Sequence, residues 1–285
     1  MVNASTSPAP AERPWWAFWR RPPIVPAIRL SGVIGSLPLR GAGLALAGLE
    51  RAIDQAFAVK RAPAVALIVN SPGGSAAQSA LLAQRIRRLA EQKGRPVIAF
   101  VEDVAASGGY WLATAADEIV VEATSIVGSI GVISAGFGFG EAIARLGIER
   151  RVHTAGARKS FLDPFRPERP EDLELLRELQ SSIHERFKEQ VRTRRAGKLK
   201  APEEELFDGR VWIGTRAVEL GLADAVGEPR AFLEERFGPD VVLRVVNQPR
   251  RRLVERLGLG TLAAEAAVET LALLEERAML RRLGL

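Results

Sequence analysis

The stretch VALIVNSPGGSAAQSALLAQRIRRLAEQKGRPVIAFVEDVAASGGYW, residues 65–111, decides the fold. Val65 to Val69 is a continuous apolar run, short enough for a strand buried on both faces. It stops at Asn70-Ser71-Pro72-Gly73-Gly74, a strong turn signal. Gln78 to Lys93 repeats its apolar residues at helical spacing, and Gly94 closes the segment. Pro96 to Val101 is a second buried strand, and a further Gly-rich turn comes within Ala105 to Trp111.

The same alternation extends outward. Ile24 to Ile34 reads as a first strand, interrupted by Pro26 and ending at Gly35-Ser36. Leu44 to Ala58 is apolar at helical spacing, and Glu118–Val121 and Ile130–Ile133 read as further strands. Strands alternating with helices over residues 24–155 indicate an α/β domain with largely buried strands. Residues 170–195 form a long charged helix expected on the outside. Thr215 to Val226 reads as a short helix, a glycine stop and a strand, and Val241 to Val246 as a late strand. The region 251–283 is helical, with Ala264, Val268, Leu271, Leu274 and Ala278 forming an apolar stripe suited to packing. The sequence therefore divides into a Trp-rich tail expected to be disordered (1–23), one α/β domain (24–247) and a helical extension (248–285). No internal repeat is present.

Composition excludes several chemistries. The chain has 285 residues, 47% hydrophobic and 26% charged, with a net charge of +6. That is ordinary for a protein that buries a full core, and the excess is too small to mark a nucleic-acid surface. There is no cysteine, so disulfides, a thiol nucleophile and Cys-based metal sites are ruled out. The two histidines, His153 and His184, lie in no metal-binding frame, so no metal and no cofactor is expected. No segment reaches the roughly 18 apolar residues needed to span a bilayer, and the N-terminus lacks the pattern of a secretory signal. The expected location is the cytoplasm or the periphery of the inner membrane. Trp15, Trp16, Phe18 and Trp19 stand beside Arg20 and Arg21, a grouping that suits a membrane interface, a partner's groove or docking on the chain's own domain.

Three Gly-rich turns come after apolar strands: SPGG (71–74), ASGGYW (106–111) and GSIGV (128–132). None has the spacing of a phosphate loop or a dinucleotide fingerprint; GFGFGE, with Gly136, Gly138 and Gly140, comes nearest. Such turns also expose backbone N–H groups to an oxyanion, and Gly73 and Gly74 can take conformations closed to other residues. Ser107, between Ala106 and Gly108, is open to close approach by a substrate backbone; its plain alternative is a helix N-cap. A serine nucleophile needs a base, and with histidine scarce lysine is the next candidate. Of the six lysines, Lys60, Lys93, Lys188, Lys198 and Lys200 lie on polar helix faces or in charge runs. Lys159 comes after RRVHTAG and precedes a Pro-rich turn, where its side chain could enter a cleft or remain a surface lysine. The S-x-x-K and G-x-S-x-G frames are absent.

Taken together, these motifs closely resemble the signal peptide peptidase A (protease IV) family of bacterial Ser-Lys serine peptidases, in its short form. The likeness runs from about Ile24 to Val246 and rests on NSPGG, ASGGYW, GSIGV, ARKSFLDPFRP and GRVWIGTRAVELGLADAVG, in that order. It implies Ser107 as nucleophile, Lys159 as general base and Ser129 as the residue orienting the lysine. It also implies oxyanion donors at Gly74 and Gly108. The fold implied is a Clp-protease/crotonase-like spiral of ββα units with peripheral helices, assembled into homo-oligomeric rings. The substrates implied are hydrophobic peptides, such as signal-peptide remnants, or unfolded protein, and peripheral membrane contact is a further implied association. A crotonase-like acyl-CoA enzyme and a non-catalytic ring scaffold share the fold without needing a Ser-Lys pair.

Overall fold

The computed structural model describes residues 22–35 and 43–247. The Trp-rich tail and the helical extension lie outside the described residues. The chain runs through β1 (Ile24–Ser31), α1 (Leu46–Ala58), β2 (Val65–Ser71), α2 (Ala76–Lys93), β3 (Val97–Ala106) and α3 (Gly108–Ala113). It continues through β4 (Glu118–Val121), β5 (Ile126–Gly128), α4 (Gly140–Arg145), α5 (Pro170–Arg194) and α6 (Glu203–Leu206). It closes with β6 (Val211–Ile213), α7 (Gly214–Glu219), β7 (Ala225–Val226), α8 (Pro229–Phe237) and β8 (Val242–Val245). The sheet order is β6-β5-β3-β2-β1-β8, with β4 joining β3 to β7. All pairings are parallel except β5 with β6.

Continuous apolar runs become strands covered on both faces, because successive side chains point to opposite sides of the sheet. Val65, Leu67 and Val69 pack with α1, α2 and α3, whereas Ala66 and Ile68 face Leu233 of α8 with Ile98 and Phe100. Pro26 does not interrupt β1. The β1–β2 ladder begins at Ala27, so the missing N–H at Pro26 falls before it. The helix α2 begins where Ser75 accepts from the Gln78 N–H and ends at Gly94, whose left-handed φ of 57° suits a residue without Cβ.

Strand β3 is the hinge of the architecture. Its first half pairs with β4 (Ile98–Val101) and its last three residues with β5 (Val104–Ala106). Between them the register against β2 shifts, from Val69 opposite Val101 to Ser71 opposite Ala105. Glu102 and Asp103 lie in the shifted stretch, and their carboxylates meet Arg29 at 2.7 Å and Asn70 at 2.6 Å. A bulge of this kind bends a strand and re-aims the residues at its end. Ser107 stands immediately beyond that end.

The strand expected at Ile130–Ile133 is absent; β5 ends at Gly128. Gly128 (φ 111°) and Ser129 (φ 52°) both leave the extended region, and the Gly131 N–H turns back onto the Ser129 carbonyl at 2.9 Å. From there the chain leaves the core. Residues 131–168 form an arm whose helix α4 has no buried residue.

Candidate active site

Ser107 stands where β3 turns into α3, in the N-cap position of that helix. An ordinary N-cap has extended backbone and uses its hydroxyl to hold the first turn. Ser107 does neither. Its φ of 51° and ψ of −123° are strained for a residue with a Cβ, and its side chain makes no capping bond. The hydroxyl is thus left for other work, on a tight strand-to-helix turn that projects it outward. The backbone holds the turn instead: the Ser107 N–H donates to the Gly128 carbonyl (2.8 Å), and its carbonyl accepts from Trp111 (3.0 Å).

The NSPGG turn lies directly against this elbow. A Cβ at Gly73 would stand 2.8 Å from the Ser107 Cβ and 2.9 Å from the Gly108 nitrogen. One at Gly74 would collide with the Ile34 carbonyl. Both glycines have positive φ, 110° and 140°, so side chains are excluded by space and by conformation. The turn is pinned by Ser71, whose buried hydroxyl donates to the Gly32 carbonyl (2.7 Å) and accepts from the Gly73 N–H (3.3 Å). Gly73 in turn accepts from the Ile34 N–H at 2.8 Å. The Gly74 N–H has no acceptor among the described residues. Gly108 is the first residue of α3, so its N–H has no partner within the helix. A Cβ built at Gly108 would lie 3.4 Å from the Gly74 nitrogen, so the two glycine turns are in contact next to Ser107.

Helix α3 is locked from behind. The buried Tyr110 hydroxyl donates to the Leu222 carbonyl at 2.8 Å; burial pushes its phenol far above the ordinary value, so it remains a donor. Arg195, 2% exposed, holds the neighbouring Gly221 carbonyl and pairs with Asp224 at 2.6 Å. Burial raises the Asp224 carboxyl. The hydrogen bonds from Arg195, Lys198 and the Ile119 N–H together outweigh it, and the carboxyl titrates below its usual range.

Ser129 is brought to the same region, one residue beyond the carbonyl that binds Ser107, and its N–H donates to the Arg210 carbonyl at 2.8 Å. Lys159 is not. It lies on an exposed turn of the arm, its N–H bonded to the Gly156 carbonyl (3.1 Å), and no hydrogen bond joins its amine to Ser107 or Ser129. Next to it, a cavity of about 410 Å³ opens between residues 134–138, residues 160–169 and α5. Ser107, Gly74 and Gly108 do not line this cavity. Sequence reasoning missed the role of Ser71 in holding the glycine turn. Its place just before Pro72-Gly73-Gly74, at the end of a buried strand, was the available signal.

Fold and elbow together put the chain in the Clp-protease/crotonase class of α/β proteins. The family model of Peptidase family S49 matches residues 89–235, more than half of the chain, and the chain belongs to that family of peptidases. It is 36% identical over 199 residues to the chloroplastic serine protease SPPA of Arabidopsis thaliana, covering 70% of this chain and 29% of that one. Identity to protease 4 of Haemophilus influenzae is 33% over 182 residues, 63% of this chain and 29% of that one. It is also 47% identical over 274 residues to a Brucella abortus protein named Na(+)/H(+) antiporter NhaA, covering 92% of this chain. The chain spans 37% of that relative's length. No helix among the described residues is long and apolar enough to cross a membrane.

Proposed function

We propose that this peptidase is a serine endopeptidase working through a Ser-Lys dyad, with Ser107 as nucleophile and Lys159 as base. The observation that carries the reading is the strained Ser107 elbow, whose hydroxyl makes no capping bond while the NSPGG turn, its Gly74 N–H unpaired among the described residues, packs against it. In the reaction, the Ser107 Oγ attacks a peptide carbonyl as the Lys159 amine takes its proton. The Gly74 and Gly108 N–H groups hold the oxyanion. The lysine then protonates the departing amine, and water, deprotonated by the same lysine, hydrolyses the acyl-enzyme. The substrates are hydrophobic peptides such as signal-peptide remnants, bound without a cofactor.

The exposed arm calls for a second copy. Ile133, Phe137 and Leu146 are 74%, 81% and 73% exposed, an apolar surface of the kind that packs against another chain. Closing this arm in a homo-oligomeric ring brings Lys159 to a Ser107. The antiporter name of the Brucella relative belongs to a longer chain, of which this one spans 37%.

A test is turnover of an unstructured protein by the oligomer. Cleavage by the wild type and none by Ser107→Ala is expected; equal cleavage by both refutes the nucleophile. A crotonase-type acyl-CoA enzyme would cleave nothing under the same conditions.

A further inference from the structure

Helix α5 packs against α3 and the turn beyond β5, and one of its faces touches them in sequence. Phe187 stacks on Trp111 of α3, ring centroids 4.9 Å apart and planes at 22°. Gln190 donates to the Thr114 hydroxyl at 3.1 Å, and Arg194 to the Thr114 carbonyl at 3.0 Å. One turn before Phe187, the half-buried His184 directs Nε2 at the Ile130 carbonyl, 3.0 Å away. A carbonyl only accepts, so Nε2 carries the hydrogen, in the neutral ring as in the imidazolium.

That carbonyl belongs to the residue after Ser129. Ser129 is held in a left-handed conformation, φ 52°, which a residue with a Cβ keeps only when its surroundings impose it. Two bonds do so. The Ser129 N–H is fixed to Arg210 on the preceding side, and the Ile130 carbonyl is fixed by His184 on the other side. Ile130 itself is fully buried, so the turn cannot slide without breaking one of these bonds.

We infer that His184 is a positioning residue of the peptidase site: by donating to the Ile130 carbonyl it sets the direction of the Ser129 hydroxyl. This rests on the Ser-Lys reading above and on the lysine-orienting role that the family resemblance implies for Ser129. His184 itself touches neither substrate nor Ser107, and its contribution does not depend on its charge.

The test is a double-mutant cycle with a conservative rescue, read as kcat and KM on one unstructured substrate. Ser129→Ala lowers kcat by roughly 10²-fold, the loss typical of a misplaced catalytic group. His184→Leu lowers kcat by roughly tenfold with KM unchanged, and His184→Gln, which keeps a donor at similar reach, recovers most of it. Ser129→Ala/His184→Leu is no slower than Ser129→Ala alone, because residues acting through one group do not add. Wild-type kcat in His184→Leu, failure of glutamine to rescue, or multiplied losses in the double variant would each overturn the inference while leaving Ser129 in place. Wild-type kcat in Ser129→Ala would instead remove Ser129 from the site, and the role of His184 with it.

Discussion

The Ser107 N–H binds the Gly128 carbonyl at 2.8 Å, so the Ser107 elbow and the turn carrying Ser129 are tied directly together. This bond continues the β3–β5 ladder beyond Ala106 opposite Gly128. The sheet itself therefore sets the distance between Ser107 and Ser129, while Lys159 lies on the exposed arm.

Because nucleophile and base act together, losing either removes nearly all turnover. Ser107→Ala and Lys159→Ala are each expected to lower kcat by roughly 10³-fold or more. Neither side chain packs in the core, so circular dichroism and melting temperature should stay close to wild type. Wild-type turnover in either purified variant would overturn the assignment.

The proposed ring, in which the arm reaches a neighbouring copy, predicts that Ser107→Ala and Lys159→Ala complement each other. Ser107→Ala and Lys159→Ala subunits, mixed and reassembled in equal amounts, should recover about a quarter of wild-type activity, since each site then draws its two halves independently from a ring of copies. Persistent inactivity of fully exchanged oligomers would show that each arm serves its own chain. A stable, fully active monomer in sedimentation would dismiss the ring altogether.

Gly73→Ala tests the oxyanion turn. Its Cβ would press on Ser107 and on the Gly108 nitrogen, at a backbone φ of 110° that alanine resists. An expected loss of about 1–3 kcal/mol of stability accompanies a fall in kcat. Urea unfolding read beside turnover checks both, and an unchanged kcat would detach the turn from the site.

The Asp224 cluster predicts an acid dependence of stability. Its folded pKa lies below the ordinary carboxylate value, so its contribution is complete above about pH 4. It is lost as pH falls through the lower folded value. Asp224→Ala leaves the buried Arg195 charge without its partner and should cost about 3–5 kcal/mol at neutral pH. The difference in unfolding free energy between wild type and variant should be constant from pH 7 to about pH 4 and begin to narrow only below it, as the carboxyl protonates. A difference that stays constant well below about pH 4 would contradict the pairing.

His153 offers a control on the base. It is exposed on the arm, so His153→Ala should retain wild-type kcat/KM. An inactive, folded His153→Ala enzyme would replace the lysine mechanism.

Most of the sheet is legible in the sequence because its strands are buried on both faces, so runs such as Val65–Val69 and Glu118–Val121 carry their own signal. The Ile130–Ile133 strand does not form because β propensity there is overridden by the left-handed Gly128 and Ser129. The short β6 carries no periodic signal in three residues and exists through its antiparallel pairing with β5. At the site, the glycine turns announce themselves, and Ser107 stands out with its N-cap alternative, which the strained backbone removes. The bulge at Glu102–Asp103 and the contact of His184 with Ile130 depend on tertiary packing, which no local pattern encodes.

The most direct measurement is reaction of the wild-type protein with a fluorophosphonate, with the labelled residue located by peptide mass mapping. The expected result is one label per chain, on Ser107, lost in Ser107→Ala and strongly slowed in Lys159→Ala. Labelling on another serine, or none at all from an enzyme that still cleaves peptides, would contradict a Ser107 nucleophile.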